Sequence, residues 1–190
     1  MMHIESKSEM RARMREALAR ISPAVRAVES IDLCARLKTQ MQSAHTVLFF
    51  APMPDELDVW PLLAEQLKEG KVIALPYFDA EANVYSARRI HDVEMDVGNG
   101  KFNVREPLSE CEAVPFGKFD LVLVPGMAFD AHGNRLGRGR GFYDRMLAET
   151  SGIKCGVGYD FQLLESVPTE AHDARVNFIL TPTRFVRRKN

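Results

Sequence analysis

Short apolar runs alternate with amphipathic stretches along most of the chain, and this alternation predicts strands separated by helices. Runs with the length and composition of buried strands occupy residues 46–51, 71–75, 119–124, 154–159 and 176–180. Proline or glycine follows most of these runs closely and marks their ends. Strands that alternate with helices predict an α/β domain of three layers, in which helices flank a largely parallel sheet.

The first two helices carry start signals in the sequence. Ser6, with Glu9 three residues later, forms a capping box, and the helix that it opens is predicted to run to about Arg20. Ser22 followed by Pro23 opens a second helix. The inward face of this second helix is predicted to carry Val25, Val28, Ile31, Leu37 and Met41.

One strand–helix–strand unit can be followed from its boundaries. Asp58 is the predicted N-cap of a helix over residues 59–69, and Gly70 is predicted to end it. The strand that follows is predicted to stop at Pro76. The length of the connection predicts that this strand lies parallel to the one at residues 46–51, joined by a right-handed crossover.

Length, charge and cysteine content limit how many domains the chain forms and which partners it is expected to bind. The 190 residues suffice for one domain, which we expect to span residues 1–190. A formal net charge of -1 provides no overall field for nucleic acid or a membrane, and no run approaches the roughly 18 apolar residues of a membrane span. The three cysteines lack the spacing of a metal or redox pair. We therefore expect a cytoplasmic monomer or weak homodimer, with no nucleic acid or membrane partner.

The densest group of unusual residues lies between the run at 119–124 and a helix predicted over residues 142–149. Glycines interleave there with arginines, and we call residues 133–141 the glycine-arginine loop; it contains Gly133, Arg135, Gly137, Arg138, Gly139, Arg140 and Gly141. Glycine lets the backbone approach a ligand, guanidinium groups pair with phosphate oxygens, and a helix start adds unpaired N–H donors. The loop therefore predicts a polyphosphate ligand.

Asp144 follows in the first turn of the predicted helix. A carboxylate beside a phosphate site repels the anion directly but can hold it through a divalent cation, so the sequence suggests a nucleotide with magnesium. The glycine spacing matches neither a P-loop nor the dinucleotide fingerprint. On spacing alone, an exposed flexible loop remains open as an alternative, in which Asp144 only favours the helix start.

The region around this loop resembles the signature of the 5-formyltetrahydrofolate cyclo-ligase family, also called 5,10-methenyltetrahydrofolate synthetases. The matching residues are Pro125-Gly126, Ala128-Phe129-Asp130, Gly133-Asn134-Arg135-Leu136-Gly137, Gly139, Gly141 and Tyr143-Asp144. The resemblance extends over residues 7–181. It implies ATP-dependent conversion of 5-formyltetrahydrofolate to 5,10-methenyltetrahydrofolate, with ATP as co-substrate, Mg²⁺ as cofactor, and release of ADP and phosphate.

At the amino-terminal end, Lys7-x-x-Met10-Arg11 resembles a family element that contributes to the ATP site. The resemblance therefore assigns Lys7 and Arg11 to nucleotide contacts. Charge alone favours a solvated basic face for the same helix, although cations in its first turns oppose the helix dipole and a nearby anion would relieve that conflict.

The resemblance also assigns acidic residues outside the loop. Glu56 aligns with a glutamate that contacts folate, and Met53 lies beside it; an ordinary loop acid is the alternative for Glu56. The pair His172-Asp173 resembles a His-Asp pair whose aspartate ligates magnesium, although a lone loop aspartate is usually a turn former. His172 has no cysteine or histidine partner at zinc spacing, so a transition-metal site is not expected.

These assignments give a complete predicted site. The catalytic group is Arg138, Arg140 and Tyr143. The ATP-binding group is Lys7, Arg11, Arg135, Leu136, Gly137, Arg138, Gly139, Arg140, Gly141, Phe142 and Tyr143. Met53 and Glu56 bind the folate, Asp144 and Asp173 bind the metal, and no general base is evident.

Two other functional classes were weighed against this reading. A domain of this family that has lost catalysis would bind folate or nucleotide only, but the complete loop and both aspartates argue against it. Alternatively, Arg138 to Gly141 would contact RNA, but such binding usually combines a basic groove with stacking aromatics, and this chain is net acidic.

Overall fold

The computed structural model describes residues 5–79, 81, 83–100, 104–139, 141–170 and 173–189. The helices are α1 (Lys7–Ala19), α2 (Pro23–Gln40), α3 (Trp60–Lys68) and α4 (Phe142–Ala148). The strands are β1 (Thr46–Leu48), β2 (Val72–Asp79), β3 (Val84–Ile90), β4 (Val97–Asn99), β5 (Arg105–Pro107), β6 (Ala113–Val114), β7 (Leu121–Pro125), β8 (Ala128–Asp130), β9 (Arg135–Leu136), β10 (Ile153–Val157), β11 (Leu163–Leu164), β12 (Phe178–Leu180) and β13 (Phe185–Arg187). Within these ranges no helix is long and apolar enough to cross a bilayer.

The main sheet has eight strands among the described residues, in the order β13-β12-β10-β7-β1-β2-β3-β6. The strands from β12 to β2 pair in parallel, and the strands outside them pair antiparallel. A smaller sheet contains β11, β8 and β9, and β4 pairs with β5. The predicted α/β class with a largely parallel sheet is therefore confirmed.

The side chains of β7 show that helices cover the main sheet on both faces. Leu121 and Leu123 belong to a buried cluster that includes residues of α1, α2 and α3. Val122 and Val124 belong to a second cluster that includes residues of α4. Because successive side chains of a strand point to opposite faces, the sheet lies between two helical layers, as predicted.

The predicted start signals of α1 and α2 are reproduced in the structure. Ser6 Oγ accepts a hydrogen bond from Glu9 N at 3.3 Å, and Ser6 N donates to Glu9 Oε2 at 2.8 Å, which completes the capping box. Ser22 Oγ caps α2 by accepting from Val25 N at 3.2 Å. β1 and β2 pair in parallel on either side of α3, which confirms the predicted parallel pair. The predicted N-cap of α3 is wrong, because the helix begins one residue later with Val59 as its N-cap, and Asp58 Oδ1 accepts a hydrogen bond from Trp60 N at 3.0 Å.

The predicted inward face of α2 is wrong over the first half of the helix. Val25, Val28 and Ile31 are 43%, 60% and 70% exposed, whereas Leu33 and Leu37 are fully buried. Both sets have helical spacing, but a helix packed on a sheet buries one stripe only. The stripe with the two leucines faces the core because leucine side chains remove more apolar surface from water than valine side chains do.

Two strand boundaries also differ from the prediction. β2 does not stop at Pro76 but continues to Asp79 and pairs antiparallel with β3. The register of β1 on β2 ends at Ala74, so Pro76 lies where β2 has an open side, and a missing N–H is tolerated there. At the other edge, β13 pairs with β12 and adds a strand that the sequence pattern did not predict.

Candidate active site

A cleft of about 690 Å³ lies at the carboxyl ends of the central parallel strands. Its walls include Ala51 and Met53, which follow β1, and Pro125 and Gly126, which end β7. Open α/β sheets bind their ligands at this edge, because the loops after neighbouring strands converge there. The sheet topology therefore brings together segments that are far apart in the chain.

The described members of the predicted site all line this cleft. They are Lys7, Arg11, Met53, Glu56, Arg135, Leu136, Gly137, Arg138, Gly139, Gly141, Phe142, Tyr143, Asp144 and Asp173. Arg140 and His172 lie outside the described residues. The nucleotide, folate and metal assignments thus fall on one cavity, although their individual roles stay predictions.

The glycine-arginine loop begins in a β-hairpin that the sequence did not predict. β8 pairs antiparallel with β9, and we call residues 128–136 the hairpin and residues 137–141 the tip. The tip then leads into α4, whose N-cap is Gly141 with φ +64°. The order of strand, loop and helix is as predicted, but half of the loop is regular structure.

A buried aspartate holds the turn of the hairpin. Asp130 is 1% exposed and accepts hydrogen bonds from the backbone N–H groups of His132 and Asn134 at 2.9 and 3.1 Å. Gly133 has φ +77°, and a Cβ atom there would overlap the carbonyl oxygen of Val176. This turn therefore requires glycine, and its conformation is held before any ligand binds.

Arg135 projects from the hairpin into a buried ion pair. Its Nη2 lies 2.7 Å from Asp144 Oδ1, and the two side chains are 3% and 19% exposed. The guanidinium also lies 5.6 Å from the ring centroid of Tyr143, and Nη1 donates to the carbonyl oxygen of Pro125 at 3.5 Å. Arg135 thereby ties the end of β7 to the first turn of α4.

Arg138, in the tip, contacts acidic residues of the loop after β1. Its Nη2 lies 2.6 Å from Asp55 Oδ1 and 3.1 Å from Glu56 Oε1, and Nε donates to the same Glu56 oxygen at 3.2 Å. Burial raises the pKa of the Glu56 carboxyl, and the charge of Arg138 opposes that shift. The other oxygen of Glu56 accepts from Met53 N at 3.0 Å. The predicted phosphate-binding and folate-binding residues are therefore in direct contact.

The amino-terminal helix reaches the same cleft. Arg11 Nε donates to the carbonyl oxygen of Gly137 at 2.9 Å. Lys7 Nζ lies 2.6 Å from Asp173 Oδ2 and 3.1 Å from Glu170 Oε1. Burial acts to lower the pKa of Lys7, but the bonds to Asp173 and Glu170 outweigh it and raise that pKa. The basic face of α1 is therefore not simply solvated, because three of its cations, Lys7, Arg11 and Arg15, line the cleft.

Asp144 and Asp173 are each paired with a cation of the protein, Arg135 and Lys7 respectively. Among the residues that the structure describes, no three acidic, histidine or cysteine side chains converge on one point. This donor set does not fit a cation enclosed by protein ligands alone. It does fit Mg²⁺ held by one or two carboxylates together with water and substrate phosphates.

An aromatic wall faces the cleft beside these charged groups. The ring centroids of Phe78 and Tyr85 are 4.5 Å apart, and those of Phe142 and Tyr143 are 5.0 Å apart. Burial raises the pKa of the Tyr143 hydroxyl, so this group stays protonated and able to donate a hydrogen bond. Flat aromatic surfaces next to polar groups suit a ligand with a conjugated ring.

A model of the 5-formyltetrahydrofolate cyclo-ligase family matches residues 3–182. The chain belongs to this family. The 5-formyltetrahydrofolate cyclo-ligase of Mycolicibacterium smegmatis is 32% identical over 194 residues, which cover 95% of this chain and 96% of that protein. The enzyme of that name from Escherichia coli K12 is 32% identical over 149 residues, covering 74% and 80%. The one from Mus musculus is 27% identical over 189 residues, covering 92% and 93%.

Solved structures share the fold of this chain. The NMR structure of Aquifex aeolicus 5,10-methenyltetrahydrofolate synthetase superimposes with a TM-score of 0.87 at 35% identity, covering 97% of this chain and 93% of that one. A 5,10-methenyltetrahydrofolate synthetase from Mycoplasma pneumoniae superimposes with a TM-score of 0.75 at 18% identity, covering 93% and 99%, and shares the fold. The cyclo-ligase fold therefore extends over nearly the whole chain.

Several residues of the cleft in this family member were missed from the sequence. They are Arg15, Phe78, Tyr85, Val104, Arg105, Glu106 and Glu170. Asp55, which pairs with Arg138, was also not predicted. Phe78 and Tyr85 could have been found from the sequence, because both lie on strands next to the cleft and the alternation of side chains along a strand indicates which of them face it. Arg105 lies on the short strand β5, for which the sequence offers no periodicity.

Proposed function

We propose that this chain catalyses the ATP-dependent cyclisation of 5-formyltetrahydrofolate to 5,10-methenyltetrahydrofolate, with release of ADP and phosphate. One observation carries the proposal: residues of the glycine-arginine loop, three cations of α1 and Glu56 line a single cleft beside an aromatic wall. A phosphate donor and a flat acceptor therefore have complementary surfaces in the same cavity. Membership of the cyclo-ligase family supports the same reaction.

The first chemical step must activate the formyl group, because its amide-like oxygen leaves poorly. In the proposed reaction this oxygen attacks the γ-phosphorus of ATP, the bond from phosphorus to the bridging oxygen breaks, and ADP leaves. Phosphoryl transfer asks a protein for positioning and charge neutralisation more than for a covalent nucleophile. Lys7, Arg11 and Arg138 are the cations that we assign to this task, with the backbone of the tip.

The second step closes the ring. N10 adds to the formyl carbon, N10 loses its proton, and the bond from that carbon to the phosphorylated oxygen breaks, so that inorganic phosphate leaves. The product carries one carbon bridging N5 and N10. We assign Tyr143, which lines the cleft and is kept as a neutral phenol by burial, to donate a hydrogen bond to the reacting groups.

Magnesium belongs to this proposal as the partner of the ATP phosphates. Asp144 and Asp173 would hold it, and it would neutralise phosphate charge during transfer. In the absence of such a cation, Arg135 and Lys7 neutralise these carboxylates. We also propose a single domain and a cytoplasmic enzyme, for which the three free cysteines are favourable.

Arg138 couples the two halves of the proposed site. Before ATP binds, it neutralises Asp55 and Glu56, and we propose that it turns to the phosphates when ATP is present. The same movement would leave Glu56 available for the folate ring.

Purified protein with 5-formyltetrahydrofolate, Mg²⁺ and ATP tests the proposal. The methenyl product has a near-ultraviolet absorbance band that the formyl substrate lacks, so ATP-dependent growth of that band is the expected result. A mixture without ATP serves as the control. Folded protein that binds ATP and folate without forming product would contradict the proposal and favour a catalytically inactive homologue.

A further inference from the structure

The cations that line the cleft differ in whether an acidic residue neutralises them. Lys7, Arg135 and Arg138 each form an ion pair with a carboxylate. Arg105 also lines the cleft, yet no described carboxylate lies within ion-pair distance of it. A cation without an acidic partner in a ligand cleft is free to bind an anionic group of the ligand.

The guanidinium of Arg105 is nevertheless held in place. It lies 4.3 Å from the ring centroid of Trp60, and its Nη2 donates to the carbonyl oxygen of Val93 at 3.3 Å. The contact with the ring restricts the position of the guanidinium, while a single described hydrogen bond leaves most of its five N–H donors for other partners. A planar cation with spare paired donors suits a carboxylate, which can accept two parallel hydrogen bonds.

Arg105 belongs to a different part of the cleft from the predicted phosphate ligands. It starts β5, whereas those ligands come from α1 and the glycine-arginine loop. Its neighbour Glu106 also lines the cleft, and burial raises the pKa of that carboxyl. The described side-chain contacts of Arg105 are with Trp60 and Val93 and not with any predicted phosphate ligand, so we assign an anion at Arg105 to a group other than the ATP phosphates.

We propose that Arg105 binds the glutamate carboxylate of the folate substrate. This inference rests on the proposed function. In 5-formyltetrahydrofolate the reacting atoms are in the pterin half, and the negative charge is on the glutamate at the other end of the molecule. If the formyl group faces ATP, the glutamate must lie away from the phosphates, and it then needs a cation of its own. Arg105 acts as a specificity residue and not as a catalytic one.

The test compares two substrates and one substitution. Arg105→Met keeps an unbranched apolar side chain against Trp60 but removes the charge. For 5-formyltetrahydrofolate we expect KM to rise roughly tenfold with kcat unchanged, the effect of losing one charge-assisted pair that binds ground state and transition state equally. For 5-formyltetrahydropteroate, which lacks the glutamate, KM of wild type and variant should agree. Arg105→Lys keeps the charge but loses the paired donors of the guanidinium. Its KM for 5-formyltetrahydrofolate should lie between those of wild type and Arg105→Met.

Arg88 provides a matched control. It lies over Tyr77 at 4.8 Å and donates to backbone carbonyl oxygens, as Arg105 does over Trp60, but it is not among the residues that line the cleft. Arg88→Met should leave the ratio of the two KM values unchanged. Equal changes of KM for both substrates in Arg105→Met, or no change for either, would overturn the proposal.

Calorimetric binding of both folates to each protein separates this inference from the proposed function. We expect wild type to bind 5-formyltetrahydrofolate more tightly than 5-formyltetrahydropteroate, and Arg105→Met to lose this difference in affinity. That result supports the role of Arg105 even if turnover is absent. Turnover with no such difference in binding or KM refutes the role of Arg105 and leaves the proposed function intact.

Discussion

The hairpin and the tip of the glycine-arginine loop adjoin in the chain, but the structure holds their arginines in different ways. Arg135 of the hairpin has a side chain that is 3% exposed and is paired with Asp144. Arg138 of the tip has a side chain that is 31% exposed and bridges two acids of another loop. One arginine is part of the framework, whereas the other is accessible to a ligand. Loop arginines of one motif therefore do not all perform the same task.

The largest expected effect is on the hairpin. Arg135→Ala removes a buried cation and leaves Asp144 without its partner, so we expect the free energy of unfolding to fall by about 3 kcal/mol or more. Urea denaturation measures the change. Arg135→Lys keeps the charge and should recover part of the loss. A loss below about 1 kcal/mol would show that Arg135 is not part of the framework.

For the tip, the expected effect is on catalysis. Arg138→Ala should lower kcat about 100-fold, because the proposed reaction then loses a cation that neutralises the transferring phosphoryl group. The protein should remain folded, since a partly exposed ion pair contributes only about 1 kcal/mol or less. Steady-state formation of the methenyl product gives kcat, and circular dichroism reports the fold.

Arg145→Ala is the matched control for Arg138→Ala, because Arg145 is an exposed arginine of α4 that does not line the cleft. It should leave kcat unchanged. An unchanged kcat in Arg138→Ala would remove that residue from charge stabilisation. Unfolding of Arg138→Ala would place it in the framework with Arg135 and end the contrast between hairpin and tip.

A smaller loss of stability is expected from a substitution at Gly141, where the tip meets α4. Gly141 has φ +64°, and a Cβ atom there would meet nothing within 4 Å, so Gly141→Ala isolates the cost of a left-handed backbone. We expect a loss of about 1 kcal/mol in thermal or urea unfolding. Gly117→Ala, where a Cβ makes ordinary contact and φ is not positive, is the control and should be neutral. Equal stability of both variants would contradict a fixed left-handed tip.

The smallest expected effect is on the pH dependence of stability, through Glu56, which Arg138 contacts. Burial raises the pKa of Glu56 above its usual 4.5, with Arg138 opposing the shift and Asp55 adding to it. The folded state then holds this proton to higher pH than the unfolded state, so the contribution of Glu56 to stability is complete below about pH 4.5 and declines as pH rises through the raised pKa.

Glu56→Gln should abolish that decline, and Arg138→Ala should steepen it, because the cation that opposes the shift is gone. Urea unfolding of the three proteins from about pH 4.5 to neutrality gives the comparison. Parallel curves for wild type and Glu56→Gln would mean that the carboxyl has the same pKa in the folded and unfolded states.

Local signals in the sequence predicted much of the fold. The Ser6 capping box, the parallel pair of β1 and β2 and the start of α4 each depend on a few neighbouring residues, and each was found. The predicted inward face of α2 was wrong because the helix has two apolar stripes, and only tertiary packing decides which one is buried. The prediction that β2 stops at Pro76 was wrong because Pro76 lies beyond the end of the pairing with β1. Where that pairing ends depends on β1 and cannot be read from the residues of β2.

The sequence predicted many residues that line the cleft, but not the contacts between them. Motif residues such as Lys7, Glu56 and Arg138 line one cleft because the sheet topology brings the loops together. Spacing along the chain could not reveal that Arg138 contacts Asp55, since those residues are 83 positions apart. Arg105 was missed because its significance depends on Trp60 and on the absence of a described acidic partner, and neither is a local property.

The ion pair of Lys7 with Asp173 joins positions 166 residues apart. A ligand that binds between them would act as a temporary cross-link between α1 and the distant loop that carries Asp173. Opening of α1 would then require release of that ligand, so its saturation would suppress opening of this region and the attack of a protease on it. The abundance of substrate would in this way regulate how long the polypeptide survives, as well as how fast it turns over.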